Sequence, residues 1–323
     1  MAHMDKLSYN SEIKYARNSV PFYLKILKKD LKKYKFIYIM AIPMVIYYFI
    51  FHYMPMYGAQ IAFKSFNTAA GIWNSPWVGF DNFISFFSSK YFSRVLINTI
   101  LISVYSLIFS FPAPIILALL LNELRNKTFK RMVQTISYLP HFISIMVVCG
   151  MIIDFTATDG FINDIIEFFG GQRSSLLLKP ESFRTIYISS DIWQNVGWGS
   201  IIYLAALTGV DTQLYEAAVI DGAGRWKQLL HVTLPGIAPT IVILLILRIG
   251  QIMNVGFEKI ILLYNPATYS TADVISSFVY RKGLLEFSYS YSAAVGLFNS
   301  VINFILLILA NKLSKHVNDI SLW

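Results

Sequence analysis

Apolar residues gather into six windows of about 20 residues, near 36–55, 95–121, 136–155, 187–208, 236–255 and 291–310, the length a helix needs to cross a bilayer core. An all-α integral membrane protein with six transmembrane helices follows, because inside a bilayer only a helix or a closed barrel satisfies its own backbone. Pro112 and Pro114 predict a kink in the second window. Residues 209–236 interrupt the pattern with a polar turn of helix, glycines and an amphipathic turn. Asp211 is placed to cap a helix over 212–221, Gly222 and Gly224 to end it, and Arg225 to Val232 to form a second short helix. Pro235, which lacks an N–H, suits the first turn of the next span. Residues 21–35 put Tyr23, Ile26 or Leu27, Leu31 and Tyr34 on one helical stripe among lysines, the pattern of a helix lying in the headgroup layer.

Composition agrees with the membrane assignment. The chain is 56% hydrophobic and 16% aromatic, and its 14% of charged residues lies well below the ~25% usual in soluble proteins. Lysine and arginine fix an orientation: seventeen lie before the first window or in 122–135, 209–236 and 311–323, against nine spread over the longer segments 56–94, 156–186 and 259–290. Cytoplasmic flanks carry such an excess, so both termini and 209–236 are expected inside. The net charge of +9 then reflects topology and anionic headgroups rather than nucleic acid. The organisation expected is a cloning scar at 1–4, a cytoplasmic segment at 5–35, a membrane domain at 36–310 and a cytoplasmic tail at 311–323. No cleavable signal peptide is apparent. Cys149 alone permits no intrachain disulfide, and His3, His52, His141, His231 and His316 show no metal-ligand spacing. No metal or catalytic residue is expected. The sequence also lacks G-x-x-x-x-G-K-[ST], so it has no P-loop with which to hold ATP.

A resemblance enters at Glu216-Ala217-Ala218, Asp221-Gly222-Ala223 and Leu234-Pro235. These residues and their spacing resemble the EAA loop of permease subunits of binding-protein-dependent ABC importers, with Val232 where that family usually has isoleucine. The similarity extends to FPAPIILALLLNEL (111–124) and NVGFEKIILLYNP (254–266), and to importers of polysaccharides and oligosaccharides in particular. It implies the type I ABC importer permease fold in the cytoplasmic membrane of a bacterium. The partners implied are a second permease, expected to be a different chain, two ATP-binding cassette ATPases carrying ATP and Mg, and an extracytoplasmic solute-binding protein. In this scheme Glu216, Ala217, Ala218, Asp221, Gly222, Ala223, Leu234 and Pro235 couple the ATPase to alternating access, and no cofactor resides on this chain.

The fifth window and the residues just after it hold Arg248, Gln251, Asn254 and Glu258 at three- and four-residue steps, a polar stripe if the helix is continuous. An arginine at that depth marks a functional site unless it is paired or merely bridges helices. Asn299 and Asn303 on the sixth window, and Trp193, Asn195 and Trp198 on the fourth, offer amides and flat rings suited to sugars; an interfacial aromatic belt also explains both tryptophans. A cation beside the path would favour an acidic saccharide such as alginate or pectin fragments, with neutral oligosaccharides as the alternative. The long segments, with Tyr264, Tyr269, Tyr280, Arg281, Lys282 and Glu286, are candidate docking surfaces for the binding protein. A membrane-embedded glycosyl transferase would share the composition, but Asp211, Glu216 and Asp221 at five-residue steps do not converge on one helix face. A secondary transporter would carry an internal inverted repeat, and none is visible.

Overall fold

The computed structural model describes residues 31–318 and 321–322. The expected scar at 1–4 and most of the amphipathic stretch, 21–30, lie outside the described residues. Within them the chain is almost wholly helical, with Lys64 and Trp77 forming an isolated antiparallel bridge. Contacts divide it into two units, Met1–Gln60 and Ile61–Trp323. The described part of the first unit is helical and supplies most of a candidate span, α1 (Lys35–Phe63), with Pro43 inside it and a wide π turn at Phe49–Tyr53 ahead of Pro55.

The second unit contains α2 (Asp81–Phe87), α3 (Phe92–Glu123), α4 (Lys127–Tyr138), α5 (Ile145–Phe168, interrupted by a turn at 157–160), α6 (Pro180–Thr208), α7 (Thr212–Ile220), α8 (Arg225–Ile249), α9 (Phe257–Leu263), α10 (Ile275–Tyr280) and α11 (Tyr289–Asn318). Among the described residues, α1, α3, α5, α8 and the Tyr289–His316 part of α11 are long and apolar enough to cross a bilayer. The fourth expected span, α6, is 29 residues long but carries Glu181, Arg184 and Asp191 among its polar residues, and is not among them. The third span begins at Ile145 rather than 136: Asn126 caps α4, whose apolar residues lie on one face, and Pro140 and the Ser144 cap separate it from α5. The proline effect in α3 takes the form of a π turn at Ser106–Ser110 immediately before Pro112.

α6 is the axis of this unit. Its Gly197 and Gly199 let neighbours approach closely: a Cβ on Gly197 would lie 2.0 Å from the Ser137 carbonyl oxygen, and one on Gly199 3.0 Å from the Pro114 ring. One apolar cluster, with Ile115, Tyr203, Leu207 and Ile237, joins α3, α6 and α8 near the 209–236 segment. A second, with Ile102, Val148, Phe183, Tyr187, Ile260 and Leu263, joins α3, α5, α6 and α9. A third, with Phe86, Val95, Met253, Phe278 and Val295, fills the end that carries 257–290.

That end also holds a charge cluster. Asp273 is fully buried; its carboxylate accepts from Arg94 Nη2 at 3.0 Å, Arg281 Nη2 at 2.7 Å and Ser277 Oγ at 2.9 Å. Asn98 donates to the Asp273 carbonyl at 3.1 Å and accepts from Arg184 at 2.8 Å. Arg281, expected on a docking surface, is turned inward onto Asp273, which Arg94 and Asn98 in turn tie to α3.

Candidate functional site

α8 ends at Ile249, one residue after Arg248. Gly250 caps it, and 250–256 runs as an irregular segment before α9 begins at Phe257. The expected continuous stripe is therefore broken: Gln251 and Asn254 lie on the irregular segment and Glu258 starts α9. Gly250 and Gly256 sit in tight surroundings that explain their lack of a side chain. A Cβ at the first would come within 2.7 Å of Leu307 Cδ1, and at the second within 2.7 Å of the Tyr187 hydroxyl.

Backbone freed from a helix inside a membrane domain needs other partners. Asn303 Oδ1 on α11 accepts from the Met253 N–H at 3.0 Å, Ser103 on α3 donates to the Ile252 carbonyl, and Ser276 donates to the Val255 carbonyl at 3.4 Å. Asn254 Oδ1 accepts from Asn299 Nδ2 at 2.8 Å and from Asn303 Nδ2 at 3.1 Å. The three asparagines form one amide cluster that pins the break to α11.

The break opens a polar cavity of about 160 Å³ lined by Ser103, Ser106, Asp191, Arg248, Gln251 and Asn254. At ~30 Å³ per water it has room for about five waters, enough to hydrate an arginine. Arg248 Nη2 donates to Ser106 Oγ at 2.6 Å. A neighbouring cleft of about 330 Å³, lined by Ser110, Asn195, Tyr203 and Leu244, shares Asp191 and Arg248 with the cavity. Along α6, Asp191 Oδ1 accepts from Asn195 Nδ2 at 3.0 Å, and Asn195 Oδ1 lies 3.1 Å from His141 Nδ1. The His141 ring stacks on Trp198 at 4.8 Å between centroids. Behind the wall, in α9, Lys259 is buried over the Tyr187 ring at 5.2 Å; burial pushes its pKa below the usual lysine value, and the Asp191 carboxylate opposes that shift.

The other candidate surface is the 209–236 segment. Asp211 caps α7 by accepting from the Gln213 N–H at 2.9 Å, and Gly222 ends it at φ +72°, a conformation that favours glycine. α7 is tied back to the following helix by Tyr215 and Thr233, whose hydroxyls lie 2.9 Å apart, and Gln228 donates to the Ala223 carbonyl at 2.7 Å. The second short helix is not separate. It runs through a π turn at Leu229–Thr233 into the span, so Arg225–Ile249 is one rod of 25 residues. Pro235 cannot donate to the turn before it, and the wider turn absorbs that missing bond. Glu216, Ala217, Asp221 and Gly222 are exposed, as are Leu214, Ile220, Trp226 and Leu230, while Ala218 and Ala223 are partly covered. Apolar residues gathered around an exposed helical turn mark a contact surface.

Residues 110–319 match the family described as the inner membrane component of binding-protein-dependent transport systems. The chain belongs to this family. It is 46% identical over 286 residues to Protein LplB of Bacillus subtilis, covering 88% of this chain and 90% of that one. It is also 46% identical over 286 residues to the polygalacturonan/rhamnogalacturonan transport system permease protein YteP of the same organism, covering 88% and 89%. Among solved structures, a bacterial ABC transporter involved in the import of the acidic polysaccharide alginate contains a chain that superposes with a TM-score of 0.84 at 46% identity, covering 90% of this chain and 99% of that one. A second, the bacterial alginate ABC transporter in complex with an alginate pentasaccharide-bound periplasmic protein, gives 0.85 at 44%, covering 91% and 99%.

Within this permease the predicted polar residues divide into three groups. Arg248, Gln251 and Asn254 share the cavity. Asn299 and Asn303 stand one step back, holding Asn254 and the broken backbone. Trp193 faces an apolar cleft with Val148, Met151 and Phe155, apart from the polar cavity, and Trp198 reaches it only through His141 and Asn195. Sequence reasoning passed over Asp191, Ser103 and Ser106. Asp191 had a signal, being an ionisable residue inside an apolar window; the two serines had none, since a serine in a helix is unremarkable until a neighbour's backbone opens beside it.

Proposed function

We propose that this permease subunit spans the cytoplasmic membrane six times with both termini inside, and passes an acidic oligosaccharide from an extracytoplasmic binding protein through a path beside Arg248. The observation that carries this reading is the polar cavity at the break in α8, which Arg248 lines while donating to Ser106 and forming no ion pair with a protein carboxylate among the described residues. Discontinuous membrane helices with irregular backbone around a cavity are a recurring way to build a substrate site. Guanidinium recognises a carboxylate through charge-assisted hydrogen bonds, and the likeness to the alginate and polygalacturonan permeases supports an anionic substrate. A second permease, a different chain, completes the path. Two ATPase subunits holding ATP and Mg dock on the exposed surface around Glu216, Asp221, Gly222 and Trp226, and their closure drives alternating access.

The test is uptake by the complex reconstituted with its permease partner, ATPases and binding protein. Wild type should import an oligouronate, and Arg248→Gln should lower that uptake about tenfold or more while the complex still assembles, because a charged hydrogen bond is worth ~1.5–3 kcal/mol. Import of neutral oligosaccharides in preference to the uronate would overturn the reading, as would unchanged uptake by Arg248→Gln.

A further inference from the structure

Asp191 is the carboxylate on the cavity wall, and the scheme above leaves it without a task. It lines both the cavity and the adjoining cleft, as Arg248 does, yet the two do not form an ion pair among the described residues. Two opposite charges in one intramembrane cavity would ordinarily be expected to pair, since each is expensive alone. Here each is tethered to its own side: Arg248 by Ser106 Oγ on α3, and Asp191 by the Asn195 amide one turn along α6, itself within reach of His141. One carboxylate oxygen of Asp191 is used in this way. Among the described residues the second has no protein donor and Arg248 donates only to Ser106, so both side chains keep hydrogen-bonding capacity at the cavity they line.

The gap thus presents a donor wall and an acceptor wall. A neutral sugar would satisfy the acceptor and leave the guanidinium unmatched; a simple carboxylate would do the reverse. A uronate unit carries both a carboxylate and ring hydroxyls, which complement the two walls together. We propose that Asp191 is a specificity-determining residue of the transport path, accepting hydrogen bonds from hydroxyls of the saccharide unit whose carboxylate Arg248 holds. This rests on the uronate reading above and assigns the other half of the same site. Lys259, buried behind Tyr187, and Arg248 leave the local balance positive even with Asp191 ionised, so the added carboxylate does not turn the site against an anion.

The experiment uses the full reconstituted complex with oligogalacturonate, comparing wild type, Asp191→Ala and Asp191→Asn. Uptake and the stimulation of ATPase activity by the loaded binding protein are measured in parallel. A hydroxyl bonded to a carboxylate predicts a loss of uptake of roughly 10- to 100-fold in Asp191→Ala. Asp191→Asn keeps a neutral acceptor and should fall between the two, while ATPase stimulation stays within about twofold of wild type in both variants. Uptake by Asp191→Ala within about twofold of wild type would overturn the proposal. So would wild-type uptake by Asp191→Asn combined with loss of assembly in Asp191→Ala, the pattern of a residue that only holds Asn195. Failure of the wild-type complex to import the uronate while importing a neutral oligosaccharide would remove the parent reading, and this inference with it.

Discussion

Asn303→Leu isolates the bond that keeps the break in α8 in place. Leucine has asparagine's branching at Cγ and the same number of heavy atoms, so no cavity is made. The change removes the acceptor of the N–H of Met253, a residue only 3% exposed, and one of the two donors to Asn254 Oδ1, leaving Asn299 as the other. An orphaned buried N–H costs ~1–3 kcal/mol in water-soluble proteins. Polar contacts between membrane helices average nearer ~0.6 kcal/mol, with a maximum near ~1.7, because the unfolded chain in the membrane also finds partners. The Met253 amide lies in non-helical backbone and loses the one partner it has among the described residues, so the expected effect is at the upper end, about 1–2 kcal/mol. Unfolding of the purified complex in mixed detergent and dodecyl sulfate micelles measures it, with Ile302→Val on the same helix as the control for altered apolar packing. Uptake should fall as well, because Gln251 and Asn254 move with the segment. A midpoint indistinguishable from wild type, with normal uptake, would show that the break is held by something other than the amide cluster.

Two further outcomes follow from the geometry. Asp273→Ala takes the shared buried carboxylate from the partly exposed Arg94 and Arg281 and should destabilise by about 1.5–3 kcal/mol, the worth of hydrogen bonds to a charged group; thermal unfolding in detergent checks it, and a loss under about 1 kcal/mol would contradict the assignment. Gly222→Val forces a β-branched residue to φ +72° at an exposed turn. ATPase subunits should then copurify poorly with the permease while its own unfolding shifts by no more than about 2 kcal/mol, and undiminished copurification would place the contact elsewhere.

The all-helical class was legible because transmembrane windows depend on composition over about 20 residues, which single substitutions hardly change. Caps were legible for the same local reason: Asp211 and Gly222 act within their own turn. The break after Arg248 was not, because Arg248, Gln251 and Asn254 fall at three-residue steps that suit a continuous helix as well as a broken one. What holds the backbone out of the helix is the offer of Ser103, Ser276 and Asn303 from distant parts of the chain, while Gly250, with no side chain, lets Leu307 approach the break. Asn299 and Asn303 were found by spacing, yet spacing could not separate a residue that lines a cavity from one that braces its wall. Arg281 illustrates the converse: a basic residue in a long polar segment reads as surface until Asp273 appears beneath it.

The continuous rod from Arg225 to Ile249 joins the two candidate surfaces, with Trp226 exposed at one end and Arg248 at the cavity. At 1.5 Å per residue the two are about 33 Å apart. The rod is not uniformly stiff. The π turn at Leu229–Thr233 and the missing donors of Pro235 and Pro239 concentrate compliance in its first half, where Gly236 meets Val210 and Thr233 meets Tyr215. From Thr240 to Ile249 the helix is regular, so a displacement at the ATPase-facing end would swing this second half as a unit and carry Arg248 with it. Paired glycines at Val242 and Ile243 should break that unit, since each adds about 1 kcal/mol of helix penalty relative to alanine. Paired alanines remove the same branched side chains but keep the helix stiff. The glycine pair should lower uptake per ATP hydrolysed several-fold while the alanine pair leaves the ratio near wild type. Equal behaviour of the two pairs would mean that α8 transmits nothing along its length, and that the cavity is moved through α6 or α11 instead.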